Sequence, residues 1–317
     1  MANQLHVVLG ASGGAGNSIV HALAERGHEV RAVNRAGNAA GPEGVERTAA
    51  DITDPTGAAT AVAGSDVVYM AAQPAYNRWA EEFPGMLTTV IDAVAASEAR
   101  LIMVDNLYMY GPPTTEMTEG SAEDSETKKG RVRTETVRML RDAHEAGRVR
   151  VSIGRASDYF GSRADNSAIT ALAIRPGADG KAIKWMGRLD KRHSVAYLPD
   201  IAKAYVLLGE SEEADGETWI LPHAPAPTGA EFLAAVNRCL DAPAKTGAIS
   251  KTMLRMAAPF HTMSRESLEM MYQWTDDFVA NDSKFQRVFG PFDTTHLDQA
   301  VGTALDSYRD LNTKANV

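Results

Sequence analysis

The chain has 317 residues, 44% hydrophobic and 23% charged, with a formal net charge of −9 and a pI of about 5.4. That length suits one large α/β domain with an attached lobe, and the acidic balance argues against nucleic acid as a partner. Cys239 is the only cysteine, which excludes an internal disulfide and a cysteine-based zinc cage and suits a reducing, cytoplasmic setting; the histidines show no metal-ligand spacing with acids, so no metal is expected.

In chain order, Leu5–Leu9 reads as a buried strand, too short for a signal-peptide core or a membrane span, and no later stretch reaches the apolar length a bilayer requires. A helix over 17–26 follows, with Ile19, Val20 and Leu23 on one face and Gly27 ending it. Strands are predicted at 30–33, 66–70, 101–104 and 150–153, with a helix over 87–94. Strands alternating with helices imply βαβ units and a parallel sheet covered on both faces. The segment 112–129 is polar, acidic until Lys128, and long enough to be a loop on the active-site side. Residues 158–187 carry Gly, Pro and Asp punctuation and read as an insertion into a smaller lobe. The pattern returns to strand and helix over 195–209, and a mainly helical tail follows Pro222. In the last helix Leu297, Val301, Ala304, Leu305, Tyr308 and Leu311 form one apolar stripe. The expected fold is therefore a Rossmann doubly wound parallel sheet over 1–155, rejoined by 190–221, with a smaller, mainly helical substrate lobe from 156–189 and 222–317.

The run Gly10-Ala11-Ser12-Gly13-Gly14-Ala15-Gly16 stands between a predicted strand and a predicted helix. Gly10 permits the tight turn, Gly13 lets backbone approach a pyrophosphate, and Gly16 lets helix pack on strand, while the helix N-terminus offers free N–H groups to phosphates. The second strand ends at Asn34 and Arg35. No acid is present there to take a ribose 2′-hydroxyl, and the guanidinium fork of Arg35 suits a 2′-phosphate, so NADP(H) is expected over NAD(H). Asp51 and Ile52 are placed near an adenine ring, and Ala71, Ala72 and Gln73 near the cofactor's ribose.

Several segments, in order, resemble the extended short-chain dehydrogenase/reductase superfamily in its NAD-dependent epimerase/dehydratase branch. Gly10-x-x-Gly13-x-x-Gly16 matches the extended glycine pattern. The segment from Val104 to Gly111 resembles the family's fifth-strand segment, and that from Arg155 to Gly161 the one after the sixth strand. The stretch from His193 to Ala202 resembles its His-Val-Asp-Asp-Val-Ala motif, and Asp282-Ser283-Lys284-Phe285 with Phe289-Gly290 its C-terminal tail. The resemblance leaves a homodimer open, since many relatives pair through helices of the nucleotide domain.

The chain departs from the family at the catalytic apparatus, a Ser or Thr plus Tyr-x-x-x-Lys. Aligned on Tyr110-Gly111, Asn106 takes the Ser/Thr position, Lys129 the Tyr position and Arg133 the Lys position. Lys129 and Arg133 share a helix face. Arg133 is suited to a ribose hydroxyl but not to moving a proton. Lys129 is the first choice of acid/base, its ammonium disfavoured by burial and by Arg133. Tyr108 is the second, pointing to the same face as Asn106 if the strand continues. An alternative is that Lys128, Lys129, Arg131 and Arg133 merely balance the acids of the preceding loop. Asp158, which stands where the resemblance implies a substrate-touching Asn, is expected to line the substrate cleft with Tyr159, Trp185 and His193; the stretch 253–274 is expected in the lobe core. The expected function is an NADP(H)-dependent oxidoreductase acting on a small organic carbonyl, alcohol or activated alkene. The alternatives are a sugar-nucleotide epimerase or dehydratase and a non-catalytic NADP(H)-binding redox sensor.

Overall fold

The computed structural model describes residues 4–315; Leu311 lies outside the described side chains. The first half of the chain winds as β1 (Leu5–Leu9), α1 (Gly14–Glu25), β2 (Glu29–Asn34), β3 (Glu46–Ala49), α2 (Pro55–Val62), β4 (Val67–Met70), α3 (Trp79–Ser97), β5 (Arg100–Asp105), α4 (Lys128–Glu145) and β6 (Arg150–Arg155). It continues through β7 (Asp158–Phe160), α5 (Arg175–Ala178), β8 (Ile183–Met186), β9 (Val195–Tyr197), α6 (Leu198–Glu210), β10 (Thr218–Ile220), α7 (Gly229–Arg238) and β11 (Thr246–Ile249). The tail is α8 (Lys251–Ala257), α9 (Thr262–Leu268), α10 (Tyr272–Thr275), α11 (Ser283–Phe289) and α12 (Leu297–Ala315).

Seven strands form one parallel sheet in the order β10-β6-β5-β4-β1-β2-β3. A parallel sheet covered by helices on both faces needs strands that are apolar throughout. β4 and the Leu101–Val104 run of β5 meet that condition, and the charged ends of β5, Arg100 and Asp105, are buried with them. One face is filled by Val7, Leu9, Met70, Phe83, Leu87 and Leu140, the other by Val8, Ile19, Leu23, Tyr69, Ile102 and Tyr205. The strand order reverses between β1 and β4, so the crevice at their C-terminal ends is the place where this architecture takes a ligand. α6 packs on α1, and β10 extends the sheet beyond β6. The remaining elements build a second core from Phe160, Trp185, Phe232, Trp274, Val301 and Tyr308, and there β8 pairs with β11 in parallel.

The helix expected from 87 begins earlier, at Trp79, and runs through Pro84. Its first turn carries Glu81 and Glu82, which favour the positive end of the helix dipole. Among the described residues no helix is long and apolar enough to cross a membrane.

His6 interrupts the apolar run of β1. Its ring is sealed from solvent, Nδ1 meets the Tyr69 hydroxyl at 3.1 Å, and the His28 ring lies 4.2 Å away. Burial, reinforced by His28, lowers His6 to about 4; burial also lowers His223 to about 4, and its Nε2 accepts the Ser157 N–H at 3.0 Å. Both histidines therefore fold neutral. The unfolded chain takes up their protons near the ordinary 6.5, so stability present above that pH is lost as pH falls from 6.5 toward 4. His6 alone accounts for roughly 3 kcal/mol across this window. Urea midpoints measured between pH 7.5 and pH 4.5 are expected to fall, with a shallower slope in His6→Gln; a parallel slope in the variant refutes the assignment.

Candidate active site

The glycine turn is built as the crevice requires. Gly10 and Ala11 donate their N–H groups to Val33 O at 3.0 and 3.1 Å, which ties the turn to the end of β2. Gly10 has φ +87°, and a Cβ there would stand 2.6 Å from Ala72 N. A Cβ on Gly16 would stand 2.4 Å from Gly10 O. Both positions exclude any side chain, and the helix cap at Gly13 leaves the first N–H groups of α1 without a side-chain acceptor. This is a cradle that a dinucleotide pyrophosphate fits.

Asn34 donates to Ser12 Oγ and, at 3.0 Å, to Asn38 Oδ1, fixing the rim of the crevice. Arg35 is exposed beside it. Asp51 accepts from the Thr53 hydroxyl at 2.7 Å and amide at 3.0 Å, which holds its carboxyl below the ordinary range, with a smaller pull from Arg35. Ile52 is buried against the sheet, Ala71 and Ala72 cross above Gly10, and Gln73 emerges into solvent.

β5 stops at Asp105, so Asn106 and Tyr108 are not related by strand alternation. Asn106 Oδ1 instead accepts the Tyr108 N–H at 3.0 Å, closing a local turn that leads into a helical turn at Tyr108–Tyr110. The Tyr108 side chain stacks on Trp79 at 6.1 Å between centroids, with the Tyr76 side chain close to its hydroxyl. Burial pushes the hydroxyls of both Tyr76 and Tyr108 well up.

Arg133 is sealed from solvent and tied to protein partners. Its side chain is 0% exposed, with Nη1 on Asp105 Oδ1 at 3.1 Å, Nη2 on Gln73 Oε1 at 2.8 Å, and the Trp79 and Phe83 rings 4.3 and 4.8 Å from the guanidinium. Asp105 Oδ2 accepts from Arg155 Nε at 3.1 Å, and Arg155 continues to Tyr110 Oη at 2.6 Å and Glu123 at 2.8 Å. Lys129 is buried too. Its Nζ donates to Glu266 at 2.5 Å and Glu269 at 3.3 Å and lies 4.2 Å from the centre of the Tyr76 ring. Lys129 and Arg133 therefore pair with carboxylates outside the acidic loop, whose Glu123 pairs with Arg141 and Arg155, while Arg131 donates to the loop at Glu126 O. The loop itself is pinned by Met117, whose backbone exchanges hydrogen bonds with Val279 and Asn281.

On the lobe side, Asp158 faces Tyr76, Tyr108 and Tyr272, and its Oδ2 lies 2.9 Å from His193 Nε2. His193 sits below the cleft surface, 2% exposed and stacked 4.1 Å from Trp274, with Nδ1 donating to Gln273 O at 2.9 Å. Trp185 stands behind it in the lobe core, edge-on at 5.9 Å, and forms no cleft wall. Tyr159 turns its hydroxyl to Asp105 O at 3.3 Å. Of the stretch 253–274, Leu254, Met271 and Trp274 are core, while Met253 and Met256 are exposed. Sequence reasoning passed over Tyr76, Trp79, Tyr272, Glu266 and Glu269. Tyr76 and Trp79 had a signal, being the first aromatic residues after the β4 exit; the two glutamates had none beyond their spacing on one helix face.

The sequence profile of the NAD dependent epimerase/dehydratase family matches residues 6–221. No curated protein matches the chain at the sequence level. Among solved structures, a nucleoside-diphosphate-sugar epimerase from Pseudomonas aeruginosa superposes with a TM-score of 0.78 at 20% identity, over 98% of this chain and 99% of that one. A UDP-glucuronic acid 4-epimerase from Bacillus cereus, solved with UDP-glucuronic acid and NAD, gives 0.79 at 14% identity over 97% and 100%. A dTDP-glucose 4,6-dehydratase from Streptomyces venezuelae, solved with NAD, gives 0.79 at 15% over 98% of each chain. At these identities the structural likeness establishes the fold.

Proposed function

Because the chain belongs to the NAD dependent epimerase/dehydratase family, we propose that it is a nicotinamide-dinucleotide-dependent enzyme that moves hydride to or from a carbon bearing oxygen in its substrate. The observation carrying this reading is the side-chain-free glycine turn opening onto the crevice between β1 and β4. The dinucleotide supplies the hydride acceptor or donor; the rest is the work of the chain. Asn106 spends its amide oxygen on the Tyr108 N–H, so its NH2 is the group left to bind a substrate oxygen. Tyr108, held protonated by burial, donates to an oxygen that gains charge. Lys129, with its N–H donors engaged by Glu266 and Glu269, is a positioning cation beneath Tyr76 and ranks behind Tyr108.

A sugar nucleotide is the substrate class favoured by the family and by the named activities of the structural relatives, ahead of the small carbonyl, alcohol or alkene expected from sequence. A second reading, an NADP(H)-dependent reductase, is favoured by two features: a phenol that donates rather than accepts a proton, and Arg35 at the ribose rim. The purified chain offered UDP- and dTDP-hexoses with NAD, and carbonyls, enones and quinones with NADPH, separates them. An isomerised or dehydrated sugar without net cofactor turnover supports the first, and NADPH consumption the second. Tight dinucleotide binding with no turnover leaves the redox sensor. For the cofactor itself, Arg35→Ala is expected to weaken NADPH about tenfold and leave NADH unchanged, read by cofactor fluorescence; equal changes for both remove the NADP preference.

A further inference from the structure

Arg133 occupies the position where the resemblance implies a ribose-binding lysine, yet it is sealed beneath Trp79 and Phe83 and fixed by Asp105. Among the described residues it is joined to the crevice by the hydrogen bond from Nη2 to Gln73 Oε1 at 2.8 Å. A guanidinium only donates, so the carboxamide of Gln73 must turn its oxygen toward Arg133, and its NH2 is directed away. Gln73 is the first polar side chain after β4. It follows Ala72, whose backbone lies against Gly10 at the switch point, and it is exposed. The loop behind it is braced where Trp79 Nε1 donates to Pro74 O at 3.2 Å.

We propose that Gln73 takes over the contact of the missing lysine: its NH2 donates to a ribose oxygen at the nicotinamide end of the dinucleotide, and Arg133 is the positioning residue that orients it. The inference rests on the dinucleotide reading above. It replaces a cation by a neutral donor at the same place, which leaves the buried charge balance of Asp105, Arg133 and Arg155 independent of whether cofactor is bound.

The test is a titration of the full chain with NADPH and NADH, followed by fluorescence, for wild type, Gln73→Glu, Gln73→Leu, Arg133→Lys and the double variant Gln73→Leu/Arg133→Lys. Gln73→Glu keeps an acceptor for Arg133 but has no N–H to offer, and its site is exposed, so folding is retained. It is expected to weaken both dinucleotides about tenfold, and Gln73→Leu to do the same. Arg133→Lys is expected to weaken binding severalfold in the wild-type background and to have no further effect when Gln73 is already Leu. A merely structural role for Arg133 lowers affinity equally in both backgrounds and overturns its assignment. Wild-type binding with both Gln73 variants unchanged overturns the inference alone. A wild type that binds neither dinucleotide overturns the dinucleotide reading and this inference with it.

Discussion

Asp105→Asn is expected to lower folding stability by about 3–5 kcal/mol, seen as a reduced urea midpoint with an unchanged slope. The carboxylate is 0% exposed and lies between two guanidiniums that are equally sealed, Arg133 on one oxygen and Arg155 on the other. Asparagine keeps the shape and removes the charge, and it presents an NH2 to a group that can only donate. Arg155 retains Glu123 at 2.8 Å; Arg133 retains only the neutral Gln73 and the faces of Trp79 and Phe83. Most of the loss is thus the uncompensated burial of Arg133. Adding Arg133→Met to Asp105→Asn removes that stranded charge and is expected to recover part of the stability. A loss below about 1 kcal/mol for the single variant, or no recovery in the double, refutes the account.

The division of the fold into what was readable and what was not follows physical range. β4, the Val7–Leu9 run of β1 and the Leu101–Val104 run of β5 are apolar because helices cover both faces of the sheet, and such runs announce themselves in sequence. The glycine turn is legible because each of its constraints is local: φ at Gly10, and the contact of Gly16 with Gly10 O. The catalytic side depends on contacts between distant segments. Glu266 and Glu269 meet Lys129 across more than a hundred residues, and nothing in either segment encodes the pairing. Arg133 reads as a cation free to meet a ribose hydroxyl until Asp105 and the Trp79 ring are placed around it. Trp185 and His193 misled in the opposite direction, since polar and aromatic residues near a motif suggest a cleft, whereas both are enclosed by Phe232, Trp274 and Phe278. The pairing of β8 with β11 was lost for the same reason, because it joins two short segments far apart in the chain.

Tyr108→Phe is expected to slow hydride transfer by about 10²–10⁴-fold while leaving dinucleotide affinity unchanged, measured in single turnover with the substrate that the screen selects. Of the two candidate acids, Lys129 has its protons on the carboxylates of Glu266 and Glu269, and the Tyr108 phenol does not. Its backbone N–H is bonded to Asn106, its ring is stacked on Trp79, and its hydroxyl meets Tyr76 above Lys129. Loss of the hydroxyl gives up the contact with Tyr76 but leaves the Asn106 bond and the Trp79 stacking in place, so the effect falls on the chemical step and not on the fold. Lys129→Ala acts differently. It releases Glu266 of the lobe from α4, leaves Glu269 held there only by the Lys128 N–H at 2.8 Å, and removes the cation beneath Tyr76. It is therefore expected to raise KM more than it lowers kcat, with less than a tenfold change in single-turnover rate. If Lys129→Ala abolishes the chemical step and Tyr108→Phe does not, the proton passes through the lysine: the carboxylates then act as its relay to solvent, and the order of the two residues is reversed.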